Sequence, residues 1–154
     1  MLFLLFQIGN DRYALEARHA IEVMPFVALK KIPGAPHGVA GLFNYRGRPV
    51  PAVDLCELTL GQPARERLST RIIVVKYPDA TGMEQWAGLI AEQATGMMRR
   101  DPEQFVDSGI HAVKSPYLGP VLLDERGVVQ LLQPEHLLAH HVRQLLNSES
   151  EVLS

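Results

Sequence analysis

Two arginines flank a glycine in the stretch NYRGRPVPAVDL, residues 44 to 55, which leads to the carboxylate of Asp54. Such a stretch could be an active-site loop, a nucleic-acid finger or a tip gripped by another protein. Asp54 could serve as a general base, but its place immediately before LCEL reads as a helix N-cap. The one metal-like spacing is His136 with His140, four apart on one helical face, with Glu135 and His141 nearby. Two ligands on one helix do not complete a site, and the order EHLLAHH lacks the metalloprotease pattern, so these read as surface or packing histidines. Cys56 lies in an apolar context with no histidine paired to it by motif. There is no G-x-S-x-G, P-loop or G-x-G-x-x-G. The residues therefore point away from an enzyme, a cofactor or a bound metal, and on spacing alone Arg46 and Arg48 read as solvated arginines on a tight turn.

Composition narrows the partner. The chain has 154 residues, 47% hydrophobic and 21% charged, with 15 Lys and Arg against 17 Asp and Glu. A formal net charge of -2 gives no electrostatic reason to expect nucleic acid or anionic lipid. A single cysteine excludes an internal disulfide and fits a reducing compartment. The apolar opening MLFLLFQI lacks a basic flank and is far shorter than the ~20 residues of a membrane span, so it reads as a strand. The expectation is a soluble, cytoplasmic protein.

The elements that must position the arginines are mostly strands. Leu2 to Ile8 reads as a buried strand turning through GNDR into YALEA. RHAIEVMPFVALKKIP is ambiguous between helix and strand, with Pro25 and its β-branched residues favouring extension. PGAPHGVAG is loop chemistry. VAGLFNY, the Arg46-Gly47 turn and RPVPAVDL form a hairpin, and CELTLG a short helical turn ending at Gly61. Pro49 and Pro51 cannot donate to a ladder and face the same way, which marks an edge strand. TRIIVVKY is a second buried strand, on which Ile73 and Val75 should alternate inward. WAGLIAEQATGMM is apolar and glycine-broken, fitting one or two bent strands, with Trp86, Met97 and Met98 read as core. RRDPEQF suggests one helical turn capped by Asp101, YLGPVLLDERGVVQLL a further hairpin, and PEHLLAHHVRQLL a C-terminal helix with Pro134 in its first turn. Residues 1 to 147 are expected to form one domain, and 148 to 154 a flexible polar tail. NYRGRPVPAVDLCEL and DERGVVQLLQPEHLL share an order of Arg-Gly turn, apolar strand, acidic residue and helix, which suggests two copies of a β unit. Short strands with frequent Gly and Pro turns favour small barrels over an α/β fold.

From Phe3 to Leu138 the chain resembles a CheW-like domain, the coupling module of bacterial chemosensory arrays. The resemblance runs through FLLFQIGNDRYALE, IEV, IPGAPHGVAGLFNYRGRPVPAVDL, TRIIVVKY, GLIAEQATGMM and YLGPVLLDERGVVQLLQPEHLL, and is most specific from Gly41 to Leu55. It implies a mainly β fold of two SH3-like five-stranded barrels around a shared core, with a C-terminal helix. It also implies an adaptor that binds a CheA-type histidine kinase, through that kinase's own CheW-like domain, and the cytoplasmic tip of a methyl-accepting chemoreceptor. The receptor-proximal positions it implies are Ala20, Glu22, Gly41 and Arg46, with Tyr45 beside Arg46. The kinase face falls on the other barrel, roughly residues 71 to 132. Tyr45 replaces the usual leucine before the arginine, Cys56 stands where an arginine often follows Asp-Leu, and Glu92-Gln93 replaces the family's Asp and small residue. A different reading of the same residues is a small-ligand- or metal-binding β-barrel with the histidine helix at its mouth.

Overall fold

The two most apolar runs of the sequence are walls with a core on each side. In the computed structural model, which describes residues 1 to 79, 81 to 110 and 115 to 137, LFLLFQI forms strand β1 (Leu2–Ile8) and RIIVVKYP forms β6 (Arg71–Pro78). Successive side chains of a strand point to opposite faces. Ile73, Val75 and Tyr77 enter one apolar cluster, while Ile72 and Val74 enter another. Leu4, Phe6 and Ile8 join the first cluster, and Phe3 and Leu5 a third. The expected inward pairing of Ile73 and Val75 holds, and the intervening residues are equally buried because β6 stands between two interiors.

The remaining described strands are β2 (Asp11–Glu16), β3 (Ala20–Pro25), β4 (Val39–Tyr45), β5 (Arg48–Asp54), β7 (Glu84–Arg99), β8 (Leu118–Asp124) and β9 (Gly127–Leu132), and a short helix, α1 (Leu55–Leu60), follows β5. They build two five-stranded arcs that share β7. One runs β3-β6-β7-β5-β4 and the other β7-β1-β2-β9-β8. Each arc stays open at one seam, crossed among the described residues by one reciprocal bridge: Lys30 to Leu42 on β4, and Val106 to Val121 on β8. The mainly β fold of two five-stranded barrels around a shared core is present. The shared core is the first cluster, to which both arcs, α1, Tyr117 and Leu137 contribute.

β7 can serve both arcs because it bends. Leu5 of β1 pairs with Gly96, yet Gln7 pairs with Glu92, so β7 carries extra residues between them. Gln93 takes φ 49° there. The expected glycine break is therefore misplaced. Gly88 lies in unbroken strand, and a Cβ on it would come within 2.7 Å of Ile72 Cγ2 and Phe43 Cε1, so it is small because the packing demands it.

Several local expectations hold. Asp101 caps a 3₁₀ turn at Pro102–Gln104 in a capping box, and α1 ends at Gly61 with φ 77°. RHAIEVMP resolves into a 3₁₀ turn at Ala17–His19 followed by β3. Others need correction. The second barrel, on which the kinase face was expected, does not comprise residues 71 to 132. β6 and the first half of β7 belong to the barrel of the Arg46 hairpin, and the second barrel combines β1 and β2 with the second half of β7, β8 and β9. The internal echo is architectural: in each copy a hairpin ends in a strand that runs parallel to a neighbour, β5 along β7 and β9 along β2. Its turns are out of step, since Arg46-Gly47 form the first and Glu125-Arg126 the second. Met97 is exposed, and only Met98 packs against a core. Of the C-terminal helix, residues 134 to 137 are helical. His140, His141 and the tail 148 to 154 lie outside the described residues.

Two expected outcomes follow from this packing. Val75 is fully buried in the shared core, so Val75→Asp should place an unpaired charge there. The cost of several kcal/mol is comparable with the whole stability of a small domain. Urea denaturation should show no cooperative transition for this variant. On the second barrel, Asp124 accepts both Arg12 guanidinium nitrogens at 2.8 Å and the Arg126 backbone N–H, which hold its carboxyl well below the usual range. Because the folded state binds that proton less tightly than the unfolded chain, this stabilisation is complete above the unfolded pKa of about 3.9 and fades as pH falls further. Asp124→Asn should melt earlier than wild type at pH 7, with the gap narrowing steadily below about pH 4.

Candidate partner-binding surface

The hairpin from β4 to β5 is closed by a two-residue turn in which both central residues have positive φ, Arg46 at 51° and Gly47 at 80°. Such a turn matches the right-handed twist of the strands and favours Asn-Gly. Glycine reaches it freely, whereas an arginine in the left-handed region costs on the order of 1 kcal/mol. The Asn44 Oδ1 accepts the Gly47 N–H at 2.9 Å and steadies the turn. Tyr45 pairs with Arg48 across it, so Pro49 and Pro51 fall at the positions that exchange no hydrogen bonds with β4. Their donorless nitrogens face the open side, as the edge-strand reading requires. That reading covers only half of β5, because Ala52, Val53 and Asp54 pair in parallel with Gly88, Leu89 and Ile90 of β7.

The hairpin tip stands at one mouth of its barrel. The inward rows of the five strands end there in Glu22 on β3, Lys76 on β6, Trp86 on β7, Arg48 on β5 and Tyr45 on β4. Glu22 and Tyr45 face each other across the open seam. The Tyr45 hydroxyl donates to Glu22 Oε1 at 2.9 Å, and Arg46 donates to the same oxygen at 3.3 Å while its guanidinium lies 5.0 Å from the Tyr45 ring centre. Burial, reinforced by the Glu22 bond, pushes the Tyr45 phenol up, so it remains a donor to that carboxylate. Tyr45 meets Trp86 edge-on at 5.6 Å, and Arg48 lies 4.0 Å over the Trp86 ring. Side chains rather than a ladder close this end of the barrel.

The structure thus brings together three of the five positions implied by resemblance, Glu22, Tyr45 and Arg46. The Glu22 and Arg46 side chains are 42% and 60% exposed, enough for a partner to reach both. Ala20 is half-buried at the start of β3, opposite Val75, and packs against the shared core. Gly41 is buried, and a Cβ there would come within 2.4 Å of the Lys30 carbonyl oxygen. Its lack of a side chain makes room for the chain's own seam bridge.

The chemical candidates outside the hairpin are occupied structurally. Asp54 caps α1 as expected, accepting the Cys56 and Glu57 N–H groups on Oδ1 and the Ala64 N–H on Oδ2. Cys56 is buried and donates to Glu92 Oε1 at 3.1 Å. Burial and that bond push its thiol up to about 12, which leaves almost no thiolate at neutral pH. Arg65 binds the other Glu92 oxygen at 3.0 Å. Two of the three departures from the family pattern, Cys56 and Glu92, therefore contact each other. Among the described residues no three His, Cys, Asp or Glu side chains converge as a metal site.

Sequence reasoning missed the Arg48–Trp86 stack. The two residues are far apart in the chain and meet only through the parallel pairing of β5 with β7, which leaves no local pattern. It also missed Leu123 and Val128, a cross-strand pair on the β8–β9 hairpin that is 77% and 58% exposed. Their alternation with the buried Leu122 and Val129 was the available signal, since the outward positions should have been polar.

Comparison with known proteins agrees with this architecture. The family model described as "CheW-like domain" matches residues 2–142. The "Chemotaxis protein CheW" of Helicobacter pylori is 31% identical over 98 residues, 63% of this chain and 56% of that protein. The match thus spans little more than half of that relative's length. "Protein PilI" of Pseudomonas aeruginosa is 27% identical over 138 residues, 88% of this chain and 74% of that protein. The crystal structure of the scaffolding protein TtCheW from Thermoanaerobacter tengcongensis shares the fold, with a TM-score of 0.72 at 20% identity over 85% of this chain and 82% of the other. With the family match reaching from β1 past the start of the C-terminal helix, the chain belongs to the CheW-like domain family.

Proposed function

We propose that this chain is a non-catalytic adaptor that couples a methyl-accepting chemoreceptor to a CheA-type histidine kinase in a cytoplasmic chemosensory pathway. The observation that carries the reading is the Glu22–Tyr45–Arg46 cluster at the barrel mouth. It holds a charged, partly exposed arginine at a turn where asparagine or glycine would be less strained. A residue kept at such a cost on the surface is explained by what it touches outside the fold. The relatives named for chemotaxis and the scaffolding protein of like fold support the same reading.

On this proposal the receptor tip packs at the Arg46 hairpin, with Glu22, Tyr45 and Arg46 in the contact and Ala20 and Gly41 supporting it from beneath. The kinase's CheW-like domain packs on the second barrel, where Leu123 and Val128 offer an apolar pair that the fold itself does not cover. Receptor and kinase then meet opposite barrels of one rigid unit. No described helix is long and apolar enough to cross a membrane, so membrane association would come through the receptor. The reading as a ligand-binding barrel gains no support, because Phe43, Val50, Ile72, Val74 and Ile90 fill one barrel, and Phe3, Leu122, Val129 and Leu131 the other.

Arg46→Glu separates the contact from a structural role. The exposed pair with Glu22 should contribute no more than about 1 kcal/mol, so thermal melting should shift only slightly. Binding to a soluble receptor-tip fragment should weaken by about 2 kcal/mol, roughly thirtyfold, while binding to the kinase regulatory domain stays unchanged. A melting point lower by many degrees would make Arg46 a clamp on the seam. Intact melting and intact receptor binding would place the receptor elsewhere.

A further inference from the structure

The mouth of the hairpin barrel holds more cation than its own carboxylates satisfy. Arg46, Arg48 and Lys76 stand there with Glu22 and Glu84. Glu22 is engaged by Tyr45 and Arg46, and Glu84 accepts the Trp86 indole N–H at 3.3 Å. Among the described residues neither Arg48 nor Lys76 has an ion-pair partner. Arg48 is exposed, yet its guanidinium is held 4.0 Å over the Trp86 ring. Trp86 is in turn fixed by its edge-on contact with Tyr45 and by packing against the barrel interior. A guanidinium held over an aromatic face by the cation–π attraction keeps N–H donors free, and these can grip a carboxylate with two parallel bonds. Lys76 sits opposite Trp86 on the adjacent strand and adds a second positive charge beside the same spot.

We propose that Arg48, stacked on Trp86 and flanked by Lys76, is a specificity-determining carboxylate receptor for an acidic side chain on the partner that docks at the Arg46 hairpin. The inference rests on the adaptor reading and adds a second anchor to it. Arg46 is tied back to Glu22, whereas Arg48 is pre-organised and electrostatically unspent. Partners that present an acidic residue at this distance from the Arg46 contact are favoured, and those that present a basic one are repelled.

Trp86 is the only tryptophan in the chain, so its fluorescence reports on the site directly. Titration of the full-length protein with a receptor-tip fragment should change that emission as binding saturates. Arg48→Glu should weaken binding about tenfold or more, and Arg48→Lys, which keeps the charge but loses the planar fork, should fall between it and wild type. Arg48→Met keeps an apolar stem over the indole without the charge. It should melt like wild type, bind more weakly, and show a shallower dependence of affinity on salt. Replacing the contacted carboxylate of the fragment with lysine should restore binding to Arg48→Glu. If the fragment binds wild type and Arg48→Met with equal affinity and equal salt dependence, the carboxylate site is overturned while the adaptor role stands. If the fragment does not bind wild type at all, the adaptor reading fails and this inference goes with it.

Discussion

A single strand that belongs to two barrels has to change direction, and the rest of the molecule is arranged around the place where β7 does so. Before Glu92 its alternate residues face the hairpin barrel and the shared core. Past the bend, Met98 faces the second barrel. Extra residues in one strand of a pair sharpen its bend and leave backbone groups without ladder partners. Here the Ala94 N–H donates to the Ser69 carbonyl at 3.0 Å. The loop that supplies Ser69 is held by Arg65 on Glu92 and by the Ala64 N–H on Asp54. Asp54 also starts α1. One cap, one buried carboxylate and one polar loop thus fix the angle between the two barrels.

In the proposed role, that angle is what the adaptor has to deliver. The Glu22–Tyr45–Arg46 cluster sits on side chains at the mouth of one barrel, and the exposed Leu123–Val128 pair sits on the other. A signal crosses the adaptor only if the two receptor states differ in how favourably they pack against it and the kinase together. In the proposed role, the hydrogen bonds that brace the β7 bend favour that transfer, because they oppose bending between the barrels. The Glu22–Tyr45 contact across the open seam serves the same end, since an unlatched barrel mouth would let Arg46 move independently of the strands beneath it.

Much of this was legible because it is local. LFLLFQI and TRIIVVKY announce buried strands, RG between NY and RPVP announces a tight turn, and Asp54 before LCEL announces a cap. The hydrophobic run of β6 could be recognised as buried, but not as a wall between two interiors. Period-two alternation disappears when both faces are apolar. The division into barrels was misplaced for a related reason. β2 meets β9 and β5 meets β7 in parallel, and such pairings join residues that no short window contains. The bend at Gln93 was hidden because a glutamine in the left-handed region carries no sequence mark, and Gly88 and Gly96 drew attention to the wrong places. At the site, Glu22 and Arg46 were reachable through resemblance. Trp86 under Arg48 was not, and no local pattern showed that the space beside Gly41 is taken by the Lys30 carbonyl.

The order of the strands along the chain also sets the order in which the barrels can be completed. The hairpin barrel uses a continuous stretch from Ala20 to Ala91 and can begin to assemble as that stretch leaves the ribosome. The other barrel takes its first two strands from the opening of the chain and its last two from the region up to Leu132, with Tyr13 waiting for Gln130. At about 5–20 residues per second, synthesis leaves β1 and β2 without their outer neighbours for roughly ten seconds. Unpaired edges on so apolar a run are templates for pairing with another chain. In a crowded polysome this first hairpin, rather than any part of the binding surface, is where nascent chains would pair wrongly and where a chaperone has the most to shield.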